Sequence, residues 1–151
     1  MRIVLQRVTQ ASVEVDGQMV STIGKGYVVL LGVGQGDTKE KVAKMVEKIR
    51  KLRFFADESG KTNLSIENIE GDILVVSQFT LYADCRKGNR PSFTNAGNPI
   101  LAEELYEYFI EIASSIFNKV GHGVFGADMQ VSLVNDGPFT VVLEDTERVE
   151  V

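Results

Sequence analysis

The chain has 151 residues, of which 44% are hydrophobic and 25% are charged, and its formal net charge is −5. This length and composition predict a single domain over residues 1–151 with a sizeable apolar core. The negative net charge excludes broad, nonspecific binding to DNA or RNA, and the absence of any run of about 20 apolar residues excludes a membrane span.

Strand patterns fill the first third of the chain. Apolar and alternating runs predict strands at residues 3–5, 12–15 and 19–23, and the Asp16-Gly17 pair favours a tight hairpin turn between the last two. The continuous apolar run from Tyr27 to Val33 predicts a central strand that is buried on both faces.

Helical spacing occurs twice. Residues 38–53 carry apolar side chains on one face, and Asp37 together with Glu40 predicts the start of this helix. A second helix is predicted from about residue 100 to residue 120, ended by Gly121 and with its glutamates facing water.

Further strands follow each predicted helix. Residues 73–76 predict a buried strand, and residues 129–134 and 139–143 predict two strands joined by a turn over residues 135–138. Hairpins first and helical crossovers later favour an α/β fold in a single domain. We expect two packed, mainly antiparallel or mixed β-sheets with two main helices on one face, a three-layer β/β/α arrangement.

The usual hydrolytic and cofactor-binding residue sets are missing from the sequence. The only histidine, His122, has no evident partner, and no Gly-x-Ser-x-Gly elbow occurs. One histidine and one cysteine, Cys85, are too few for a zinc site, so we expect no metal. The glycines within residues 32–36 lack dinucleotide-binding spacing and precede the negative Asp37, so they predict a turn and no cofactor. A lone cysteine agrees with a cytoplasmic location.

Two basic clusters are candidates for contact with RNA. One is a stripe on the first predicted helix, formed by Lys41, Lys44, Lys48 and Lys51. The other lies in the polar loop at residues 84–98 and consists of Arg86, Lys87 and Arg90. Solubility is the alternative interpretation of both clusters, and the loop is the stronger candidate because binding residues concentrate in loops.

Two polar segments remain as candidates for chemistry. The segment Ser77-Gln78-Phe79-Thr80 ends a predicted strand, where backbone N–H groups and a side-chain amide can meet a substrate carbonyl. Its alternative is that these side chains only satisfy local backbone groups. The segment Asn135-Asp136-Gly137-Pro138, taken alone, is an ordinary turn, although a cis bond before the proline would aim two neighbouring carbonyls in the same direction.

In this order and at these distances from the termini, the two segments resemble the signature motifs of the D-aminoacyl-tRNA deacylases, also known as D-tyrosyl-tRNA deacylases. The resemblance extends to residues 6–8, 87–93 and 123–129, and so covers almost the whole chain. It implies a homodimeric ester hydrolase that binds the acceptor end of aminoacyl-tRNA and acts in translation quality control. Its substrates would be D-aminoacyl-tRNA and glycyl-tRNA mischarged on tRNA-Ala.

The resemblance also implies roles for individual residues. The scissile ester would be lined by Ser77, Gln78, Phe79 and Thr80. A filter that excludes L side chains would be inserted into the other subunit's pocket, formed by Gly137 and Pro138 with a cis bond and locked by Arg7. The terminal adenine would be cradled by Phe125 and Met129. The alternatives are a noncatalytic RNA-end binding module and a small-molecule esterase.

Overall fold

The computed structural model describes residues 1–145 of the chain, in which two helices pack on a six-stranded mixed sheet. The helices are α1 (Lys39–Lys51) and α2 (Pro99–Ser114), and a 3₁₀ turn covers Phe79–Tyr82. The strands are β1 (Arg2–Val15), β2 (Gln18–Ile23), β3 (Gly26–Gly32), β4 (Phe55–Ala56), β5 (Thr62–Leu64), β6 (Asp72–Ser77), β7 (Lys119–His122) and β8 (Gln130–Glu144). Among the described residues, no helix is long and apolar enough to cross a membrane.

The order of the main sheet makes β3 a central strand. The strands run β2-β1-β3-β6-β7, with β8 also paired to β1, and β4 and β5 form a separate hairpin. Strands β3, β6 and β7 pair in parallel, whereas β1 is antiparallel to β2, β3 and β8. Nearly every residue of β3 is buried, which confirms the predicted central strand. The tight turn at Asp16 and Gly17 is also confirmed, since both residues have positive φ and join paired strands.

The long strand β1 links two layers of the fold. Ile3 and Leu5 in its first half belong to the core beneath the helices. Val8, Ala11 and Val13 in its second half pack into another core, on the opposite face of β3 and β6. The sheet therefore folds over itself, and helices cover the first of its two packed layers. The predicted three-layer β/β/α fold is confirmed, although its two sheets are continuous through β1, which also unites the separately predicted strands at residues 3–5 and 12–15.

The start of α1 differs from the prediction. Thr38 caps the helix, because its side chain accepts a hydrogen bond from the backbone N–H of Lys41. Asp37 is instead buried, where it accepts a hydrogen bond from the N–H of Gly34 at 2.7 Å. The same carboxylate forms an ion pair with the amino group of Met1 at 2.8 Å. The prediction of Asp37 as the cap was wrong because its charge has a distant partner.

The end of α2 also differs from the prediction. The helix stops at Ser114, where Ser114 and Ser115 donate their hydroxyls back to the carbonyls of Ile110 and Ile112. Residues 119 and 120, predicted as the end of the helix, and Gly121, predicted as its stop, lie instead in β7 beside β6. Ile116, Phe117 and Val120, which follow the helix, also pack on the core. Their apolar side chains extended the helical pattern past Ser114 and made the predicted helix too long. The predicted exposure of the helix glutamates is confirmed at Glu103, Glu104, Glu107 and Glu111.

The two predicted C-terminal strands are one strand, β8. Its two halves both pair with β1, since Val8 lies opposite Asn135 and Gln6 lies opposite Thr140. Residues 136–139 therefore bulge out of the ladder between them, and the chain continues in the same direction. The prediction of a reversing turn was wrong because Asn, Asp, Gly and Pro suit a bulge as well as a turn.

Candidate active site

An apolar cavity of about 410 Å³ opens where β3, β6, the 3₁₀ turn and α2 meet. Ser77, Gln78 and Phe79 form part of its wall, and Phe125 lines it from the loop after β7. A second cavity of about 230 Å³ shares residues 77–79 and includes Met129 in its lining. The structure thus brings five of the residues singled out in the sequence to two adjoining cavities.

The wall between the cavities leads into the 3₁₀ turn, whose first two backbone N–H groups have no partner within the turn. The N–H of Gln78 donates to the Leu31 carbonyl at 2.8 Å, which ties the end of β6 to β3. The 3₁₀ turn then begins, with the N–H of Leu81 donating to the Gln78 carbonyl at 3.2 Å. The amides of Phe79 and Thr80 come before Leu81, the first donor of this turn, so the turn itself offers them no carbonyl. They are available to a substrate oxygen.

The side chains of the 3₁₀ turn lie at the rim of the cavity. Phe79 is 57% exposed, and its ring packs edge-on against Phe93 with 5.0 Å between ring centroids. Thr80 is exposed, lines neither cavity and accepts a hydrogen bond from the side-chain amide of Gln78. The structure therefore brings three of the four predicted ester-site residues to the cavity and leaves the Thr80 side chain outside it.

Arg2 holds the 3₁₀ turn in place, a role that the sequence analysis missed. Its Nη1 donates to the Leu81 carbonyl at 2.6 Å, and its guanidinium lies 4.9 Å from the centre of the Tyr82 ring. That ring fills the space beside Gly34, where a Cβ atom would lie 2.6 Å from the Tyr82 hydroxyl. Burial, followed by the charge of Asp37, raises the pKa of Tyr82 to about 12. No local pattern at Arg2 indicates these distant contacts.

Tyr106 supports the cavity from α2 and was also missed. Its hydroxyl lies 3.2 Å from the carbonyls of both Val75 and Gly123 and donates to them. Burial raises the pKa of Tyr106 to about 12, so the phenol remains a donor at neutral pH. Its ring centroid lies 5.8 Å from that of Phe125, which also lines the cavity. The available signal was its helical spacing to Phe109, which is fully buried.

The loop that carries Phe125 and Met129 begins at Gly123, which lies against the Met129 side chain. A Cβ atom at Gly123 would overlap the Met129 sulfur, so the Met129 side chain would have to shift to admit one. His122 lies outside both cavities, and its Nδ1 is 2.8 Å from the carbonyl of Gly123. Within residues 1–145, no group of three or more His, Cys, Asp or Glu side chains is arranged to hold a metal ion.

Arg7 and Asn135 hold the bulge of β8. Arg7 donates from Nε to the Asp136 carbonyl at 3.0 Å and from Nη1 to the Phe54 carbonyl at 2.6 Å. Its guanidinium also lies 4.5 Å from the centre of the Phe139 ring. The Asn135 side chain donates to the Arg7 carbonyl at 2.9 Å and accepts from the Phe139 N–H at 3.1 Å. Both ends of the bulge are therefore fixed.

The tip of the bulge is exposed and lies away from the cavities. The bond between Gly137 and Pro138 is cis, and both residues are exposed. Neither lines either cavity. The structure thus separates the two predicted parts of the site into a cavity and a projecting, anchored tip.

A family model and two curated relatives all place this chain among the same group of proteins. The model of the family described as D-Tyr-tRNA(Tyr) deacylase matches residues 4–144. A D-aminoacyl-tRNA deacylase of Myxococcus xanthus (strain DK1622) is 57% identical over 144 residues, covering 95% of this chain and 94% of the relative. A D-aminoacyl-tRNA deacylase of Thermosipho africanus (strain TCF52B) is 54% identical over 144 residues, covering 95% and 97%.

Solved structures share the fold of this chain. The c-Myc DNA Unwinding Element Binding Protein superposes with a TM-score of 0.92 at 45% identity, over 97% of this chain and 100% of that one. A probable eukaryotic D-amino acid tRNA deacylase superposes with a TM-score of 0.81 over 94% and 97%, and its 19% identity shows the fold alone. The chain therefore belongs to the D-Tyr-tRNA(Tyr) deacylase family and is a hydrolase of D-aminoacyl-tRNA.

Proposed function

We propose that the ester of D-aminoacyl-tRNA is hydrolysed at the wall formed by Ser77, Gln78 and Phe79. The observation that carries this proposal is the position of the wall between two cavities, one lined by Phe125 and the other by Met129. An acceptor end bound there would place its adenine against these two side chains and its ester beside the amides of the 3₁₀ turn. Free D-amino acid and tRNA would leave.

The chemistry that we propose uses water and backbone dipoles. A water oxygen attacks the ester carbonyl, the bond from that carbon to the ribose oxygen breaks, and the proton of the water goes to the ribose oxygen. The N–H groups of Phe79 and Thr80 stabilise the negative oxygen that forms in between. The neighbouring 2′-hydroxyl of the terminal ribose assists this step, since it is held next to the reacting ester.

The Thr80 side chain is expected to be dispensable. The variant Thr80→Val should keep at least about a tenth of the wild-type kcat, because only its backbone amide faces the developing charge and donors of this kind contribute far more than a remote hydroxyl. Single-turnover hydrolysis of D-tyrosyl-tRNA measures this. Complete loss of turnover with tRNA binding intact would instead make the Thr80 hydroxyl a reacting group.

The Phe125 side chain is expected to contribute binding rather than chemistry. Its ring is half-buried at the larger cavity, and a base stacked on an aromatic ring is stabilised by about 1–3 kcal/mol. The variant Phe125→Ala should therefore raise KM for D-tyrosyl-tRNA by about tenfold and change kcat less. The matched substitution Tyr108→Ala removes a half-buried ring of α2 that lines neither cavity, and it should leave KM unchanged. An unchanged KM in Phe125→Ala would rule out the adenine assignment.

We also propose that the exposed tip at Gly137 and Pro138 enters the pocket of a second subunit in a homodimer. The tip is anchored by Arg7 and lines no cavity of its own chain, which supports a role in another one. There it would hold the substrate amino group and leave no room for an L side chain. Glycine has no side chain to exclude, so glycyl-tRNA mischarged on tRNA-Ala should also be hydrolysed.

In this proposal the protein acts in the cytoplasm, in translation quality control, as one domain over residues 1–151. Pairing of β1 with β8 joins the two ends of the described chain and supports a single domain. Residues 146–151 of that span lie outside the described residues.

One assay tests the proposed specificity. The protein is incubated with matched D- and L-tyrosyl-tRNA, with glycyl-tRNA-Ala and with a simple carboxylic ester. Release of amino acid from the D and glycyl substrates alone supports the proposal. Hydrolysis of the simple ester at a comparable rate would favour a small-molecule esterase, and binding of tRNA without release would favour a noncatalytic module. A DNA competitor tests the binding named for the 45% identical neighbour, which the net charge of −5 disfavours.

A further inference from the structure

The segment from Cys85 to Pro91, here called the basic loop, leaves and re-enters the fold beside the larger cavity. Asp84 and Ser92 close its base with two backbone hydrogen bonds of 2.7 and 2.9 Å. The next residue, Phe93, lines the cavity and packs against Phe79. All residues of the basic loop are exposed. A loop of this length can extend roughly 10 Å beyond its base.

The positive charge of the basic loop is only partly neutralised. Arg86 donates to both carboxylate oxygens of Asp84, at 2.9 and 2.7 Å. These side-chain hydrogen bonds, with a further one from the Arg86 backbone, lower the pKa of Asp84 to about 2, so the pair carries no net charge at neutral pH. Lys87 and Arg90 have no acidic partner within residues 1–145. Two uncompensated cations therefore stand beside the cavity.

The other basic cluster is less suited to phosphate. On α1, Lys41 lies 3.8 Å from Asp37 and 3.9 Å from Asp145, and Lys51 lies 3.2 Å from Glu47. Only Lys44 and Lys48 of that stripe lack an ion pair among the described residues. No residue of α1 lines either cavity beside Ser77, whereas Phe93, which follows the base of the basic loop, does. The charge that is both available and adjacent to the site is that of the basic loop.

We propose that Lys87 and Arg90 bind the phosphates of the unpaired acceptor end and supply most of the electrostatic affinity for tRNA. This inference rests on the proposed function, in which the terminal adenosine occupies the cavities. The phosphates that precede it then leave the cavity mouth, where the basic loop stands. An acidic protein of net charge −5 can bind tRNA in this way, since a few contacts at one end replace an extended basic face.

The test compares two substrates that differ in their phosphates. The double variant Lys87→Ala/Arg90→Ala is assayed with D-tyrosyl-tRNA and with D-tyrosyl-adenosine, which has none. We expect the ratio of kcat/KM for D-tyrosyl-tRNA to kcat/KM for D-tyrosyl-adenosine to be about 10- to 100-fold lower in the variant than in the unaltered protein. The salt dependence of kcat/KM for tRNA should also weaken, by roughly 0.7 in log–log slope for each phosphate contact that is lost.

Two further variants make the result decisive. Lys87→Arg/Arg90→Lys keeps both charges and should retain most of the wild-type ratio, which separates a charge effect from a disturbed loop. Lys44→Ala/Lys48→Ala removes two exposed cations from α1 and should leave the ratio unchanged. A normal ratio in the basic-loop variant, or a fall confined to the α1 variant, overturns this inference. Failure of the unaltered protein to hydrolyse D-tyrosyl-adenosine would instead count against the proposed function.

Discussion

Replacing Gly137 with alanine is expected to lower the rate of D-tyrosyl-tRNA hydrolysis by about 100-fold, because small displacements of positioning groups have effects of that size. The residue has φ of +146°, which L side chains rarely adopt. A Cβ atom there would lie 2.9 Å from the Phe139 backbone nitrogen and 3.3 Å from Arg7 Nη2. The tip must therefore move, and the hydrogen bond from Arg7 to the Asp136 carbonyl must move with it. Steady-state kinetics with D- and L-tyrosyl-tRNA measure this rate. They also give the ratio of kcat/KM for the D substrate to kcat/KM for the L substrate, which should fall.

The matched control is Gly60→Ala. Gly60 also has positive φ, +78°, but a Cβ atom there would meet nothing within 4 Å, since the residue lies at the open end of the hairpin of β4 and β5. It shares the backbone strain of the Gly137 substitution without touching the bulge. Equal losses of activity in both variants would attribute the effect to general destabilisation and contradict the role of the tip.

A mixing experiment tests whether the tip acts on the other subunit. The indole of Ser77→Trp would fill the space of the two cavities that Ser77 lines, while the Gly137 tip of the same chain stays intact. Co-refolding it with Gly137→Ala should restore activity, since a mixed dimer would contain one open cavity facing one native tip. Light scattering should give twice the chain mass of 16.6 kDa. Mixed samples that stay inactive while forming dimers would argue that the tip serves its own chain.

Replacing Asp37 with asparagine is expected to reduce the free energy of unfolding by about 3–5 kcal/mol, the range found when one partner of a buried ion pair is removed. The Asp37 carboxylate and the Met1 amino group are almost fully buried, with side-chain exposures of 3% and 0%. The variant leaves the amino group charged and without its counter-ion. The Gly34 N–H, which now donates to the carboxylate, would have only a neutral amide as acceptor. Urea unfolding followed by circular dichroism measures the change.

The control for this stability prediction is Glu67→Gln. Glu67 pairs with Arg50 at the surface, where solvent screens the interaction, so the unfolding midpoint should hardly move. An equally small shift for Asp37→Asn would mean that the charge interaction between Asp37 and Met1 contributes little to the free energy of unfolding.

Local chemistry accounts for the parts of the fold that the sequence predicted well. The Asp16-Gly17 turn follows from the positive φ that these residues tolerate, and the buried strand β3 follows from an unbroken apolar run. Neither depends on a distant partner. The positions of Ser77 and Phe125 at the cavities required the resemblance to a family, since nothing in a polar strand end or a lone phenylalanine specifies a common pocket.

Errors arose where a distant residue decides the outcome. Asp37 and Thr38 are both good helix caps by type, and only the buried amino group of Met1 removes Asp37 from that role. The segment at Gly137 has the composition of a reversing turn, and only pairing of both flanks with β1 makes it a bulge. The hydrogen bond from Arg2 to the Leu81 carbonyl likewise joins residues that are 79 positions apart. Such contacts have no local signature.

The pairing of Arg2 with Glu144 has a consequence for synthesis of the protein on the ribosome. β2 and β3 follow β1 closely along the chain and can pair with it early, whereas its other partner, β8, begins only at Gln130. Contacts between such distant segments carry a large loop-closure entropy and form late. The bulge that Arg7 holds therefore cannot assemble until β8 has emerged from the exit tunnel. A nascent chain lacks the tip proposed to recognise aminoacyl-tRNA while it is still attached to the machinery that consumes that substrate.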